Sequence, residues 1–319
     1  MRIKGWLITG AVLILLGAVL LGAVLTVARW DFTRLSATKY ETKTYTLTEE
    51  YQSVCVVSKR AQVTFVPSED GTTRVECVEE TRLPHAVGVE NGTLTVAVQN
   101  NRRWYDYVGF HFGAPQVTVY LPRGAYDTLT VETDTGDVRV PADFTFSAVN
   151  VTGHTGDITF EAPTTGDVNL KVTTGAITVQ NVSTGNLSLT ASTGRVTATG
   201  VACTGDLTLK VSTGKAELTD VTCENLTSDG NTGDIALEYV VARGKLTVTR
   251  STGDVLLTRC NAASLQLTTD TGDVKGSLLS DKIFFASSDT GRIDVPKTTT
   301  GGRCEITTDT GDIRMEITQ

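Results

Sequence analysis

The sequence predicts an all-β protein: a two-sided, right- or left-handed parallel β-solenoid of about ten coils, preceded by an irregular β cap and one N-terminal transmembrane helix. Three observations support this fold class. A Thr-Gly pair returns every 19 or 20 residues, apolar residues alternate after each pair, and residues 6–28 carry no charge. Alternation of period two is typical of a strand with one buried face. A repeat this short cannot bury its apolar face alone, so the copies must stack.

The Thr-Gly pairs define a column of turns through the predicted solenoid, residues 126–319. A corner repeated in register needs a positive φ at each level, and glycine reaches it without steric cost. Two positions after each glycine the residue is apolar in all ten copies. The turn glycines are Gly136, Gly156, Gly175, Gly194, Gly214, Gly233, Gly253, Gly272, Gly291 and Gly311.

A second strand with the same alternation follows half-way round each repeat. In the repeat that ends at Gly291, we expect Ile283 and Phe285 to face inward. Cys304 is expected in register with Phe285, one coil earlier. With neighbouring strands ~4.8 Å apart, ten stacked coils form a rod on the order of 45 Å long.

Aspartate follows the turn glycine in six of the ten copies. Stacked carboxylates are suitable ligands for calcium. The alternative is that each carboxylate accepts hydrogen bonds from nearby backbone N–H groups. Ala176, Arg195, Lys215 and Arg292 occupy the same column. Cations in a metal row would repel the ion, so the pattern favours the backbone bonds.

The six cysteines form no Cys-x-x-Cys pair, which disfavours zinc and thioredoxin-type chemistry. Cys203 and Cys223 are one repeat apart and are expected at one column on adjacent coils, either bridged or merely stacked. Cys55 and Cys77 lie in two strand-like segments of the cap and could also pair.

The composition disfavours nucleic-acid binding and catalysis. The formal net charge is −8 and the basic residues are scattered, which disfavours a nucleic-acid partner. The chain has only three histidines, none beside a recognisable nucleophile motif. We therefore predict a non-enzymatic protein with no catalytic residue, no cofactor and no metal site.

The run 6–28 predicts a membrane anchor. As a helix its 23 residues would span about 35 Å, enough for a hydrocarbon core of ~30 Å. Arg2 and Lys4 lie in the five-residue tail before it, which favours an N-terminus inside the cell. The predicted protein is a single-pass cell-membrane protein with its bulk outside the cytoplasm, and residues 29–43 form a stalk.

Residues 44–125 are expected to form the cap on the first coils, because the end strands of a solenoid have unpaired backbone groups. This region contains the least repetitive segment of the chain, a cluster of aromatic residues. Such a cluster could stack on sugars or touch lipid, or it could plug the end of the core. The candidate binding residues are Trp104, Tyr105, Tyr107, Phe110 and Phe112.

The T-G-D-[VI] half-coils, such as Thr135-Gly136-Asp137-Val138 and Thr155-Gly156-Asp157-Ile158, follow a short β region that ends at Leu121-Pro122. With the N-terminal anchor, this arrangement resembles the bacterial membrane-anchored β-strand-repeat family of "putative adhesins", a domain of unknown function. The resemblance covers roughly residues 45 to 319. It implies an envelope-exposed, non-enzymatic protein and brings no catalytic residues.

Three function classes compete. The first is a cell-surface binding or scaffold module whose partners are the membrane, through the anchor, and an envelope polysaccharide or another protein. The second is a self-assembling structural or envelope-stress-related scaffold, which would associate with itself. The outward threonines favour this class. The third is a polysaccharide-acting β-helix enzyme, which normally has much longer coils. The repetition favours the first class, because it gives long uniform faces and no unique site.

Overall fold

The computed structural model describes residues 3–27, 40–99 and 115–318 of the 319-residue chain. Residues 3–27 form one helix, α1 (Ile3–Val27), and the other two ranges contain only strands and turns. Among the described residues, no helix has both the length and the apolar character that crossing a membrane requires. The predicted transmembrane helix is therefore not supported by the structure, whereas the β-solenoid of about ten coils is confirmed.

Seven strands precede the first Thr-Gly corner strand. They are β1 (Tyr40–Leu47), β2 (Ser53–Ser58), β3 (Gln62–Pro67), β4 (Thr73–Glu80), β5 (His85–Glu90), β6 (Thr93–Val98) and β7 (Gln116–Leu121).

Nineteen strands make up the repeats. They are β8 (Gly124–Thr135), β9 (Val138–Val140), β10 (Phe144–Thr155), β11 (Ile158–Phe160), β12 (Val168–Thr174), β13 (Ile177–Gln180), β14 (Ser183–Thr184), β15 (Leu187–Thr193), β16 (Val196–Cys203), β17 (Leu207–Thr213), β18 (Ala216–Cys223), β19 (Leu226–Thr232), β20 (Ile235–Thr252), β21 (Val255–Thr271), β22 (Val274–Leu278), β23 (Lys282–Thr290), β24 (Ile293–Asp294), β25 (Gly302–Thr310) and β26 (Ile313–Ile317).

The strands form two facing rows. The first row contains the strands before each Thr-Gly corner, in the order β5–β6–β2–β8–β10–β12–β15–β17–β19–β20–β21–β25–β23. The second row contains the strands after it, in the order β1–β4–β7–β3–β9–β11–β13–β16–β18–β20–β21–β22–β26–β24. The long strands β20 and β21 contribute to both rows. Among the described strands, only the pairs β1–β4, β4–β7 and β5–β6 are antiparallel.

The N-terminal region continues the stack. Val54 of β2 pairs with Leu129 of β8, and Val63 of β3 pairs with Val138 of β9, so β2 and β3 form one more coil in register. Strands β6 and β7 then pair with β2 and β3 as a further level. The apolar interior consequently runs without a break from the cap into the repeats.

The Thr-Gly corner is constrained in two ways. Nine of the ten turn glycines have φ between +122° and +154°, a region that side chains rarely adopt. Each of these glycines also packs against the main chain of the neighbouring coil. A Cβ on Gly253, for example, would overlap the carbonyl oxygen of Gly233.

Five successive coils also bend within the second row, at a column that the Thr-Gly pattern does not reveal. In β18, Thr219 and Asp220 both face outward between the inward pairs Ala216/Leu218 and Val221/Cys223, while the strand stays in register with its neighbours. Asp220 has φ +53°. The residues with positive φ in this column are Asn181, Gly200, Asp220, Tyr239 and Arg259.

The last two coils exchange places. Strand β21 pairs with β25 and β22 pairs with β26, while β23 and β24 lie outside β25 and β26. The coil that ends the chain is therefore inserted between its two predecessors. The spatial order of the corners is Gly272, Gly311, Gly291, which is also the order of the main-chain hydrogen bonds Gly272 N to Thr310 O and Gly311 N to Thr290 O.

The outermost coil has the opposite face inward from the one we expected. Phe284, and not Phe285, is in register with Cys304. Ile283 and Phe285 point outward and are 37% and 48% exposed. Because β23 begins with an inward Lys282, the alternation places its apolar odd-numbered residues outside.

The cysteines are all free thiols. Cys203 and Cys223 are buried, and their neighbours Ala202 and Thr222 are paired, so the two thiols occupy one column as predicted. The suggested Cys55–Cys77 pair is not formed. Cys55 lies between the inward Val54 and Val56 and faces outward from the first row, whereas Cys77 is fully buried on the inner face of the second.

Arg250 is the largest fully buried side chain of the described residues. Its guanidinium fills the space beside Gly230, where a Cβ would overlap it. It donates to Ser228 Oγ at 3.0 Å and to Val211 O at 3.5 Å, and Nε has no partner in the described chain. Burial lowers the pKa of Arg250. A cation is thus held in the core with few compensating bonds, and it restricts position 230 to glycine.

We expect Gly253→Ala to lower the free energy of unfolding by at least about 2 kcal/mol, because the new Cβ meets both a positive φ and the carbonyl of Gly233. Gly88→Ala is the matched control, since its Cβ would have nothing within 4 Å. Thermal and urea unfolding measure both. Equal midpoints for the two variants would contradict the close-approach argument.

Changes at Arg250 and Ser228 should have opposite signs. Arg250→Met removes a poorly paired buried cation, so we expect the free energy of unfolding to stay constant or to rise by about 1–4 kcal/mol. Ser228→Ala keeps the cation and removes its best acceptor, so we expect a loss of about 1–3 kcal/mol. Urea unfolding midpoints of the two variants and the parent measure both effects. A lower free energy of unfolding in Arg250→Met would mean that the guanidinium is a net stabilising group.

Candidate functional site

The predicted aromatic segment, Trp104 to Phe112, lies outside the described residues, but the described residues on either side of it are placed. Gln99 N donates to Pro84 O at 2.7 Å, and Gln62 N donates to Pro115 O at 3.0 Å. In the chain, Gln99 follows β6 and Pro115 precedes β7, as Lys59–Ala61 join β2 to β3 and Gly136 joins β8 to β9. Gln99 and Pro115 therefore lie on the Thr-Gly side, near the N-terminal end of the stack. Its binding role stays a prediction.

The aspartates after the turn glycines bond to the main chain. Asp137 Oδ1 accepts from Asp157 N at 2.8 Å, and Asp157 Oδ1 accepts from Ala176 N at 2.8 Å. The same bond recurs from Asp254, Asp273 and Asp312 to the next coil in space. These carboxylates thus stabilise the corner itself, which is the backbone alternative to a calcium row.

A second side-chain ladder runs along the opposite corner. Asp167 Oδ1 accepts from Asn186 Nδ2 at 2.8 Å, and Asn186 Oδ1 accepts from Asp206 N at 2.8 Å. Asp206 and Asn225 repeat the pattern one level on. Because amide and carboxylate alternate, like charges are never adjacent here. Sequence reasoning missed this ladder, although the Gly-Asp and Gly-Asn pairs at 166–167 and 185–186 signalled it.

The outward faces repeat from coil to coil. The register of the first row places small polar side chains above one another in a single column. Its members are Asn150, Asn169, Ser188, Thr208, Thr227, Thr247 and Gln266. In the second row Tyr239 departs from this pattern, since its ring is 44% exposed and Arg259 lies 5.9 Å from its centroid.

A polar cluster is buried in the N-terminal end, beside the ends of residues 100–114. Glu79 Oε2 accepts from the backbone N of His85 at 2.6 Å and lies 2.8 Å from His85 Nδ1. The other ring nitrogen, Nε2, lies 3.4 Å from Ser58 Oγ. Cys77 precedes Glu79 on the same inner face of β4. None of these residues was singled out from the sequence as part of a site.

The contacts from Ser58 to His85 and from His85 to Glu79 follow the order of a nucleophile, a base and a carboxylate. However, Ser58 is buried, and its Oγ accepts a hydrogen bond from Ala61 N at 3.3 Å. The cavity beside the cluster has a volume of about 10 Å³, which is room for about one water molecule. The arrangement can hold a small ion or a water molecule, but it has no room for a substrate.

The other end of the stack has a groove of about 520 Å³ that contains Asn261, Ser280 and Lys282. Lys282 is buried and donates to Asn261 Oδ1 at 3.1 Å and to Ser280 Oγ at 2.5 Å. Ser280 in turn donates to Asn261 Oδ1 at 2.7 Å. Burial lowers the pKa of Lys282. The Lys282 amine donates to the Ser280 hydroxyl and does not accept its proton. The bonds therefore fit a role in stabilising the outermost coil better than activation of Ser280 as a nucleophile.

Three crystal structures resemble this chain in outline. A "putative adhesin" from Bacteroides fragilis is 14% identical, with a TM-score of 0.43 over 87% of this chain and 97% of that one. A "putative adhesin" from Parabacteroides distasonis is 14% identical, with a TM-score of 0.48 over 88% and 98%. A "putative lipid binding protein" from the same species is 12% identical, with a TM-score of 0.48 over 86% and 97%.

The sequence matches no curated protein significantly. It does match the family profile described as Toastrack DUF4097, over residues 51–314. The match covers more than four fifths of the chain and includes both the N-terminal levels and the Thr-Gly coils. The chain therefore belongs to the Toastrack family DUF4097, a domain family of unknown function.

Proposed function

We propose that this protein is a non-enzymatic binding or scaffold module of the bacterial cell surface. The observation that carries the proposal is the composition of residues 100–114. The outer columns of the coils repeat small polar residues, whereas this aromatic segment occurs once in the chain. It joins β6 to β7, and main-chain hydrogen bonds hold its described neighbours, Gln99 and Pro115, near the N-terminal end of the stack.

The chemistry of the segment fits a contact surface. Aromatic and arginine side chains carry most of the binding energy in protein interfaces, and Arg102 and Arg103 adjoin Trp104 and Tyr105. Aromatic rings also stack on sugars or rest at a lipid interface. The ligand class we propose is an envelope polysaccharide or another envelope protein.

A self-assembling scaffold is the second candidate function. The outermost coil, β23 with β24, exposes Ile283, Phe285 and Ile293 on its outer side. Neither strand pairs with a described strand on its far side. An edge of this kind can accept a strand from another chain. Arg303 lies over the Phe285 ring at 4.2 Å, which partly covers the patch.

Attachment to a membrane is a separate proposal and rests on residues 6–28. This run has no charged residue, and large apolar side chains of α1, among them Leu13, Ile14 and Leu15, are more than half exposed. A contiguous apolar surface of this kind marks a contact with a membrane or a partner. We infer a single-pass cell-membrane protein whose N-terminus lies inside and whose β domain lies outside the cytoplasm.

To test the binding site, Trp104 and Tyr107 are replaced by alanine in the full chain. We expect retention on isolated cell envelopes to fall at least tenfold, because two anchors of one patch are lost. Tyr239→Ala is the matched control, since it removes an exposed tyrosine beside an arginine in the middle of the stack. Cosedimentation measures retention, and circular dichroism measures the melting temperature.

Three results would contradict the binding proposal. If the double variant is retained like the parent, the segment is not the contact surface. If it unfolds many degrees lower, the aromatic side chains plug the end of the core. Loss of retention in Tyr239→Ala to the same extent would instead place binding on the faces of the coils.

The anchor is tested by fractionating cells that express the full chain. We expect the parent to remain in the membrane pellet after an alkaline carbonate wash, and Leu15→Arg with Leu16→Arg to reduce that fraction, since arginine at a helix centre costs about 2.5–3.5 kcal/mol. Leu256→Arg is the control, because Leu256 is an exposed leucine of β21. A parent protein in the soluble fraction would contradict the anchor without affecting the binding proposal.

A further inference from the structure

Three side chains that commonly bind metal ions meet inside the N-terminal end of the stack. Cys77 and Glu79 face inward from β4, and His85 opens β5. The Cys77 Sγ, a Glu79 carboxylate oxygen and a His85 ring nitrogen all lie within 4.8 Å of one another. Cys77 and Glu79 are 0% exposed and His85 is 5% exposed. A thiol, a carboxylate and an imidazole are thus gathered at one buried point by two different strands.

We propose that Cys77, Glu79 and His85 bind one zinc ion, with Sγ, a Glu79 carboxylate oxygen and His85 Nδ1 as ligands. Zinc takes cysteine sulfur, histidine nitrogen and carboxylate oxygen in tetrahedral sites. Magnesium and calcium prefer all-oxygen sites, so the thiol and the imidazole disfavour them. The mixed ligand set is the reason for choosing zinc.

The second ring nitrogen of His85 supports this assignment. Nδ1 faces Glu79, and Nε2 faces Ser58 Oγ at 3.4 Å. A histidine that binds a metal through one nitrogen usually donates the N–H of the other to a neighbouring oxygen, which fixes the tautomer and the ring orientation. Ser58 is buried at the end of β2 and is placed to accept that bond.

The required movements are small. Ligand atoms that share one tetrahedral zinc are about 3.3–3.5 Å apart, given bonds of about 2.0 Å to nitrogen or oxygen and 2.3 Å to sulfur. His85 Nδ1 and Glu79 Oε2 are 2.8 Å apart and need to open by about half an ångström. The widest separation in the cluster, at most 4.8 Å, needs to close by about 1.5 Å at most. Side-chain rotations can supply both.

The residues and the cavity around the cluster leave room for a fourth ligand and allow the charge of the zinc ion to be balanced. Glu79 Oε1 is buried and forms an ion pair with Lys43 Nζ at 2.9 Å. The adjoining cavity of about 10 Å³ holds about one water molecule, a suitable fourth ligand. Lys43 is partly exposed, so its ammonium can move into solvent. The Glu79 carboxylate is then available to bind the ion.

Zinc binding would replace protons. Burial, with the nearby Glu79 charge, raises the pKa of the Cys77 thiol to about 12, so the thiol is protonated without an ion. On binding, the thiol releases its proton to solvent, and His85 binds through Nδ1 with its N–H on Nε2. Thiolate and carboxylate then balance the two positive charges of zinc. The ion would join β4 of the second row to β5 of the first, close to both ends of residues 100–114.

The test uses the full chain, purified without a histidine tag and stripped of metal. We expect one equivalent of Zn²⁺ to bind in competition with a chromophoric chelator and to raise the melting temperature. Co²⁺ should give a thiolate-to-metal absorption band with tetrahedral visible bands. Cys77→Ala and His85→Gln should each weaken Zn²⁺ at least 100-fold. Cys223→Ala, which removes an equally buried thiol in the middle of the stack, should leave binding unchanged.

Lys43→Met provides a readout that a purely structural cluster would not move. It removes the cation that competes for Glu79, so we expect Zn²⁺ affinity to rise at least threefold. The proposal is overturned if the parent binds less than half an equivalent or if its cobalt form lacks the thiolate band. Both readouts use the parent and are independent of whether the variants fold. Equal loss of binding in Cys77→Ala and Cys223→Ala would also overturn it.

Discussion

The close approach of each Thr-Gly corner to the main chain of the next coil is the constraint on which the whole stack depends. Gly214 and Gly194 show it clearly, because a Cβ on the first would overlap the carbonyl oxygen of the second. Corners that touch through the main chain cannot slip by one residue, since a slip would place a side chain at the contact. All other positions of the coil then fall into columns. The core follows from this register: Leu187, Leu207 and Leu226 stack because the corners after them do.

The same constraint makes coils interchangeable in space. The level that contains Gly311 fits between those of Gly272 and Gly291 because its corner offers the same main-chain surface as any other. Insertion of the last coil gives it a neighbour on each side and leaves the preceding coil at the edge. That edge coil differs from the rest: its inward column begins with Lys282, and Asn261 and Ser280 bind the amine. In this edge coil, the hydrogen bonds of Lys282 take the place of the apolar contacts that a further coil makes elsewhere in the stack.

The sequence predicted the repeating coil because glycine, alternation and period all report local backbone geometry. It did not reveal the column at which the second row bends, since that position needs only a tolerated positive φ and is filled by residues as different as Asn181, Asp220 and Tyr239. The exchange of the last coils was also invisible, because a period of 19 or 20 residues says nothing about spatial order. The Cys77, Glu79 and His85 cluster has no recognisable spacing; pairing between strands brings it together. For residues 100–114 the sequence remains the basis of the binding prediction.

A stack of equivalent coils has a consequence for where chemistry can reside. Within the repeats, most columns offer a similar environment at each level, and a buried charge such as that of Arg250 is the exception. The ends escape this equivalence because their strands pair differently. At the N-terminal end, antiparallel pairing of β4 with β7 and of β5 with β6 turns Glu79 and His85 toward each other. Repeats can hold polar ladders such as Asp167–Asn186, but a buried group of thiol, carboxylate and imidazole requires the broken symmetry of an end.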